Sequence, residues 1–222
     1  MRTYRIERTP TPPPLAGDVD GTDWADAHVL QIDTYPWYTA GDRQPTAARL
    51  LYDDDALWGQ FHCRDRHSAA ERTELNSAVS LDSCVELFAT VDPLARPDYF
   101  NLEMNCCGTF LIGYGPARRP RSAIDEAWAR RVEIATSNAT PTKAEADDDQ
   151  AWWVAVRLPW DVLGHLAGKP VRPAAGGEWR ANLYRCGGIT DPQFATWNPI
   201  DTARWPKPDF HRPEAFGRMI FG

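Results

Sequence analysis

Two glutamates, Glu86 and Glu103, lie in stretches whose polar and apolar residues alternate as they do in neighbouring β-strands. Paired carboxylates on adjacent strands can bind the hydroxyl groups of a ligand, and they can also act as the acid and the nucleophile of a glycosidase. A structural interpretation pairs both glutamates with Arg185 or Arg118 across the sheet face. The residue types favour ligand binding over structural pairing, and both over catalysis.

Aromatic side chains beside prolines are a second group of candidate binding residues. A flat ring packs against C–H groups, while Glu, Asn and Arg bind hydroxyls. Trp197 lies in the Pro-bounded segment 194–199, and Trp37 and Trp205 also stand next to prolines in turn-like segments, where a ligand contact is open to them. His211 and its neighbour Arg212 either contact a ligand or anchor a loop. The candidate binding residues are Glu86, Glu103, Asn105, Arg185, Trp197, His211, Arg212, Trp37 and Trp205.

Local spacing indicates neither a metal site nor a familiar class of enzyme. The cysteines form no C-x-x-C pair and are expected to be reduced, mostly buried thiols; they are Cys63, Cys84, Cys106, Cys107 and Cys186. The segment 18–21 is similar to the start of a calcium loop, but EF-hand spacing requires an acidic residue where the chain has Val29. The sequence also contains no nucleophile elbow and no phosphate-binding loop. No metal ligand and no catalytic residue is therefore predicted.

Two alternating stretches must position the glutamates. One face of each stretch is apolar and is predicted to enter the core, with Val85, Leu87, Ala89 and Val91 from the first stretch and Phe100, Leu102, Met104 and Cys106 from the second. The opposite face carries Glu86 from the first stretch and Glu103 and Asn105 from the second. If the strands pair as a hairpin across 92–98, these polar residues share one surface.

The remaining pattern predicts an all-β fold. Further strands are expected at 48–52, 57–63, 110–114, 131–136, 152–158, 179–185 and 218–221, with short helices at 122–130 and 159–166. The Pro-rich segment 9–14 cannot supply ladder donors, so residues 1–17 are expected to form an extended arm before a single domain at 18–222. The predicted architecture is a two-sheet antiparallel β-sandwich of jelly-roll or immunoglobulin-like type with few short helices.

Composition and net charge limit the classes of partner that the protein is expected to bind. The net charge of −7, without a cluster of Lys and Arg, argues against nucleic acid. The chain has no apolar run of membrane-spanning length, so a soluble protein without a membrane partner is expected. The first residues lack the apolar stretch of a secretion signal, which makes the cytoplasm the expected location. The sequence does not identify a protein partner, which stays unknown.

Five segments carry a family resemblance. In chain order they are Asp20-Gly21-Thr22-Asp23-Trp24, the hairpin 46–65 with its acidic end, Asp82-Ser83-Cys84-Val85-Glu86-Leu87-Phe88, residues 99–109, and Phe210-His211-Arg212-Pro213-Glu214-Ala215-Phe216-Gly217. Together they resemble the family 9 carbohydrate-binding modules and the bacterial family 9-like proteins, over residues 18–222. The β-sandwich that this resemblance implies agrees with the alternation.

The resemblance implies a module that binds a mono- or oligosaccharide, related to xylan or cellulose, without cleaving it. Family members hold the end of a sugar chain between aromatic rings; some carry structural calcium, and no cofactor is otherwise implied. Glu86 matches their hydroxyl-binding glutamate. Ser80, however, replaces an aromatic residue, and Glu103 stands where xylanase-attached modules carry a basic residue. A glycoside hydrolase using Glu86 and Glu103, or an interaction domain that has lost sugar binding, are the alternatives.

Overall fold

The computed structural model describes residues 1–92, 97–138, 140–142, 144–146 and 148–222. The strands in its first half are β1 Thr3–Arg8, β2 Leu30–Ile32, β3 Thr46–Tyr52, β4 Ala56–Arg64, β5 Cys84–Thr90, β6 Tyr99–Asn105 and β7 Phe110–Gly115. Those that follow are β8 Ser122–Ala123, β9 Glu133–Thr136, β10 Ala151–Pro159, β11 Glu178–Cys186, β12 Ala195–Thr196 and β13 Gly217–Phe221. Two helices, α1 Glu126–Ala129 and α2 Trp160–Ala167, and short 3-10 turns at Asp23–Asp26, Val79–Leu81 and Pro213–Ala215 complete the described elements.

The strands form one curled sheet that folds over into the two layers of a sandwich. The first layer has the strand order β8-β7-β6-β5-β11-β13-β1, and the second has the order β1-β3-β4-β10-β9. Strand β12 adds to β11, and β2 adds to β3. Between the layers lies the main core, which includes Ile6, Leu50, Leu87, Leu102 and Val154. The predicted all-β sandwich is confirmed, with the addition that β1 belongs to both layers.

The predicted arm at residues 1–17 is wrong in its first half. Residues 3–8 form β1, which pairs in parallel with β13 from Thr3↔Arg218 to Ile6↔Phe221 and with β3 at Glu7↔Leu51. Its Tyr4 and Ile6 are buried, while their neighbours along the strand are polar. This alternation is a strand pattern, which the adjacent proline run obscured.

The Pro-rich segment after β1 also lies against the domain. The indole nitrogen of the fully buried Trp24 donates a hydrogen bond to the carbonyl oxygen of Pro14 at 2.8 Å. In addition, the backbone of Thr9 continues the hydrogen bonding of β1 by donating to the Tyr52 carbonyl at 2.8 Å. The segment is therefore attached to the second layer of the sandwich.

Strands β5 and β6 pair as predicted, with Cys84↔Asn105, Glu86↔Glu103 and Phe88↔Asn101 as partners. Their apolar faces enter the main core; Met104, for example, is fully buried there. The other faces point away from the main core and are covered by loops. A second apolar group, called the outer cluster here, forms beneath these loops and comprises Val79, Cys84, Phe88, Tyr99, Tyr184, Cys186, Ile200, Phe210 and Phe216.

Both short helices follow the sequence pattern with shifted ends. The predicted helix at 122–130 contracts to α1, whose first turn is capped because the Asp125 carboxylate accepts a hydrogen bond from the Trp128 backbone. Helix α2 stops at Gly168, whose φ of 65° is the left-handed conformation that favours glycine. Within the described residues, no helix has the length and apolar character needed to cross a membrane.

Candidate functional site

A cavity of about 220 Å³ lies on the outer side of β5, β6 and β11. Its floor contains Glu86, Glu103 and Cys186. Around the floor, the walls are formed by Ser80, Leu81, Arg118, Phe194, Pro208, Asp209, Phe210 and His211. The cavity therefore joins the strand pair predicted from alternation to loops that are distant in sequence.

Glu86 and Glu103 lie opposite each other on β5 and β6 and are only 2% and 6% exposed. The thiol of Cys186 donates to Glu86 Oε1 at 2.9 Å, and the amide of Asn101 donates to Glu103 Oε1 at 2.8 Å. Strand pairing thus places two carboxyl groups side by side where they are almost completely shielded from solvent.

Burial dominates the electrostatics of this pair. It raises the pKa of Glu86 well above its usual value, the proximity of Cys186 and Glu103 raises it further, and Arg118 opposes the shift. Burial likewise raises the pKa of Glu103, against hydrogen bonding from Asn101 and the charge of Arg121. The pair therefore retains a proton at pH values where exposed glutamates are ionised, so it can both donate hydrogen bonds to hydroxyl groups and accept them.

His211 presents a neutral imidazole to the cavity. Burial, together with the charges of Arg121 and Arg118, lowers the pKa of His211 to about 3. Its Nδ1 lies 2.8 Å from the Tyr99 hydroxyl, and its ring centre lies 4.9 Å from that of Phe88. These contacts hold the ring at the cavity wall, and its contact with a ligand stays a prediction.

Phe210 is an aromatic wall held rigidly from behind. Its ring stacks on Tyr184 with centres 4.2 Å apart and planes 9° from parallel, and its carbonyl accepts a hydrogen bond from the Tyr184 hydroxyl at 3.0 Å. Trp37 also contacts Phe210, with ring centres 6.0 Å apart. These contacts hold the Phe210 ring in one orientation.

Three predicted site residues, Trp37, Trp205 and Arg212, lie behind this wall rather than in the cavity. Trp37 donates through its indole nitrogen to the Trp205 carbonyl at 2.7 Å. The Arg212 guanidinium lies 3.3 Å from the ring centre of Trp205 and forms an ion pair with Asp209, which does line the cavity. These residues position the loop 208–211.

Asn105 is not available to a ligand, so its prediction as a binding residue is wrong. Its amide nitrogen donates to the carbonyl of Arg72 and to Asp82 Oδ2, both at 2.9 Å. Its amide oxygen accepts from the backbones of Cys107 at 3.2 Å and Thr109 at 2.9 Å. With both donors used and no exposed surface, Asn105 stabilises the turn after β6.

Arg185 and Trp197 also lie outside the cavity, contrary to the prediction. Arg185 points from β11 into the sandwich, where it is 1% exposed and forms an ion pair with Asp65. Trp197 is 4% exposed and belongs to the main core. Its ring packs so closely on Gly217 that a Cβ there would lie 2.6 Å from Trp197 Cζ3. Neither a stacking platform nor a hydroxyl-binding guanidinium is therefore available at these positions.

Several residues that line the cavity were not predicted as binding residues. Ser80, at the position where an aromatic residue was expected, hydrogen-bonds Glu103, and this contact opposes the raised pKa of that glutamate. The rings of Phe194 and Phe210 are contributed instead by the loops. Both loops are brought to the cavity only by the tertiary fold, although the segment from Phe210 was recognised as a family motif.

The cavity floor includes one group of potential metal ligands. The ligand atoms of Cys84, Glu86 and Cys186 lie within 4.8 Å of one another, and the rest of the described chain contains no other group of three or more His, Cys, Asp or Glu side chains placed like this. Calcium binds six to eight oxygen atoms. Two thiols and one carboxyl group do not fit that requirement, so this group of side chains does not match a calcium site.

Comparison with known proteins places the chain in a family. The model of the carbohydrate-binding family 9 matches residues 20–221. A candidate carbohydrate-binding protein from Bacteroides uniformis has a similar crystal structure, with a TM-score of 0.83, 21% identity, and coverage of 100% of this chain and 99% of that one. A search of curated proteins finds no match.

Two further similar structures are family 9 modules from Caldicellulosiruptor kristjanssonii. The one in complex with cellotriose has a TM-score of 0.64 and 14% identity over 99% of this chain and 93% of that one. The one in complex with glucose has a TM-score of 0.63 and 15% identity over 99% and 96%. At these identities the structures show the same fold, and the family model decides membership. The chain belongs to carbohydrate-binding family 9, a family of non-catalytic modules.

Proposed function

We propose that the cavity above Glu86 and Glu103 binds a single sugar unit, either a free monosaccharide or the end of an oligosaccharide. The observation that carries this proposal is the pair of buried carboxyl groups in the same cavity as the aromatic side chains of Phe194 and Phe210. A sugar ring requires this combination, because its C–H face packs on aromatic rings while its hydroxyls need planar polar groups.

The size of the cavity supports one unit rather than a chain. Pockets for drug-sized ligands have volumes of about 300–1,000 Å³, and this cavity has about 220 Å³. Leu81 lies on its wall and is 60% exposed, so the cavity opens to solvent at that side. Further units of an oligosaccharide would extend past Leu81 into water.

The polar groups in the cavity can bind several hydroxyls at once. The glutamate pair donates and accepts, Arg118 donates, and the neutral His211 adds one further polar nitrogen. Each neutral hydrogen bond contributes about 1 kcal/mol, and each aromatic contact about 0.5–1.5 kcal/mol. After the cost of ordering the ligand, we expect dissociation constants in the micromolar to millimolar range.

Gluco-configured sugars are the first ligands to test, since the two similar family 9 modules were solved with cellotriose and glucose. Glucose, xylose, cellobiose and cellotriose at about 10–50 mM, each with and without calcium, should be titrated against the full chain by isothermal calorimetry and thermal shift. We expect saturable binding of at least one of them.

The binding site is tested by Glu103→Gln and Phe210→Ala, with Glu133→Gln as the matched control. Glu133 is an exposed glutamate on β9. Glu103→Gln keeps the shape of the side chain but replaces one carboxyl oxygen with an amide nitrogen that can only donate, so we expect at least about a tenfold weaker affinity, equivalent to about 1.4 kcal/mol. Absence of saturable binding by all four sugars, or equal affinity in Glu103→Gln and Glu133→Gln, would contradict the proposal.

A further inference from the structure

The two cysteines beneath the cavity are brought together by strand pairing. Cys84 begins β5, Cys186 ends β11, and the two are directly opposed in the antiparallel ladder. Side chains at such opposed positions have Cβ atoms about 4.5–5.5 Å apart. Glu86 follows Cys84 by two residues and therefore projects from the same face of β5.

The end of β11 is held tightly against the start of β5. Gly187 follows Cys186 with a φ of 79°, and a Cβ at this position would lie 1.5 Å from the carbonyl oxygen of Asp82. Only glycine permits this approach. The backbone therefore fixes the spacing of Cys84 and Cys186 independently of their side chains.

We propose that Cys84, Cys186 and Glu86 form a zinc-binding site whose fourth coordination position faces the cavity. The zinc ion would be bound by two thiolate sulfurs and one carboxylate oxygen, a donor set that zinc accepts and that calcium and magnesium do not. Binding of zinc displaces both thiol protons, and any proton on Glu86, to solvent.

The distances suit this ion after a small side-chain rotation. A tetrahedral site with Zn–S bonds of about 2.3 Å separates its two sulfurs by about 3.8 Å. The three ligand atoms already lie within 4.8 Å of one another, and Cys186 Sγ and Glu86 Oε1 lie 2.9 Å apart.

The residues that line the cavity show which way the fourth coordination position faces. Glu86 and Cys186 line it, whereas Cys84 is fully buried and does not line it. An ion among the three is therefore enclosed by protein on the Cys84 side and open on the cavity side. Three protein ligands with one open position make a site that binds water or another exchangeable oxygen ligand. This inference goes beyond sugar recognition and does not depend on it.

Cobalt is the probe, because Co²⁺ substitutes for zinc and its thiolate complexes absorb in the near ultraviolet. The full chain, kept reduced with a phosphine, should be titrated with Co²⁺ and then with Zn²⁺. We expect a thiolate-to-cobalt band that saturates at one equivalent and disappears when Zn²⁺ displaces the cobalt. Absence of this band, or retention of the band after zinc is added, would overturn the proposal.

Matched cysteine variants locate the site. Cys84→Ser and Cys186→Ser should lose the band, whereas Cys107→Ser and Cys63→Ser, outside the group, should keep it. Equal loss in all four variants, or retention in Cys84→Ser and Cys186→Ser, would place the metal elsewhere and refute the assignment. A melting curve for each variant verifies folding. If either variant at position 84 or 186 fails to fold, Glu86→Gln replaces it, with a weakened cobalt affinity as the expected result and an unchanged one as the refutation.

Discussion

At the scale of single residues, the glutamate pair combines binding chemistry with a cost to stability. Burial raises the pKa of both Glu86 and Glu103, so folding favours their neutral forms. For an acid of this kind, the stabilising contribution is complete below the ordinary pKa of 4.5 and is lost as the pH rises through the raised pKa. The carboxyl pair should therefore destabilise the fold increasingly from weakly acidic to basic pH.

The variant Glu103→Gln tests whether the carboxyl pair lowers the free energy of unfolding as the pH rises. The variant cannot ionise, so we expect its free energy of unfolding to exceed that of the wild type at about pH 8, by about 1.4 kcal/mol for each unit by which the pKa of Glu103 is raised. The difference should shrink as the pH falls to 4.5. Urea denaturation at several pH values measures it, with Glu133→Gln as control, and a difference that does not change with pH would contradict the interpretation.

The contribution of His211 to stability has the opposite pH dependence. Its pKa of about 3 means that its contribution is present above its ordinary value of 6.5 and is lost as the pH falls toward 3. Because His211 is present in both proteins, its contribution cancels when Glu103→Gln is compared with the wild type at the same pH.

Prediction of single residues succeeded where alternation alone decided the face of a strand. Glu86 and Glu103 were placed correctly on a shared outward face. The same rule also applies to β11: Trp179, Ala181 and Leu183 are apolar and share their face with Arg185, which indicates the core side. Trp197 was misplaced because a position beside proline was taken as exposed, whereas β11 anchors this segment through the Leu183 carbonyl.

At the scale of elements, β1 shows how much a short strand can contribute. Its Ile6 is fully buried in the main core, whereas Arg5 beside it faces solvent. The strand joins both layers of the sandwich, because its first residues pair with β13 and its last residues pair with β3. An arm outside the domain would make no such contribution.

Substitution of Ile6 should distinguish a strand inside the sandwich from an arm outside the domain. Ile6→Ala leaves a cavity between the layers, so we expect a loss of about 2–5 kcal/mol in the free energy of unfolding. Arg5→Ala removes only an exposed ion pair with Glu7, worth about 0–1 kcal/mol. Urea denaturation compares the two variants. A loss below about 1 kcal/mol for Ile6→Ala would support the arm that the sequence analysis predicted.

At the scale of the whole molecule, one buried ion pair links the two layers. Arg185 belongs to β11 in the first layer, and Asp65 directly follows β4 in the second. The Asp65 carboxylate also accepts a hydrogen bond from the Trp152 indole at 2.8 Å. Both charges are almost completely buried, so each depends on the other for its compensation.

Removal of one charge should therefore be costly. We expect Asp65→Asn to lower the free energy of unfolding by about 3–5 kcal/mol, because Arg185 stays charged inside the sandwich without its partner. Asp33→Asn, which breaks the exposed pair with Arg2, should cost less than about 1 kcal/mol. Thermal and urea denaturation measure both. A cost for Asp65→Asn as small as that for Asp33→Asn would show that Arg185 is hydrated.

The overall architecture was predictable because it depends on local patterns that repeat along the chain. Strands at β3, β4, β7, β10, β11 and β13 all follow from alternation and turn residues. The cavity was only half predictable. Glu86 and Glu103 of its floor lie on the paired strands β5 and β6, but its walls come from the 3-10 turn Val79–Leu81 and from loops near residues 118, 194 and 208–211. No periodicity indicates which loop covers which strand.

The pairing of β1 with β13 also constrains how the protein is made. Residues 3–6 find their parallel ladder partners on β13 only at residues 218–221, far along the chain. During translation, the side of β1 that pairs with β13 stays uncovered until residues 218–221 have left the ribosome. Contacts so distant in sequence slow folding and prolong the exposure of apolar strand edges. Nascent chains shorter than about 218 residues are therefore the species in which we expect chaperone binding and aggregation.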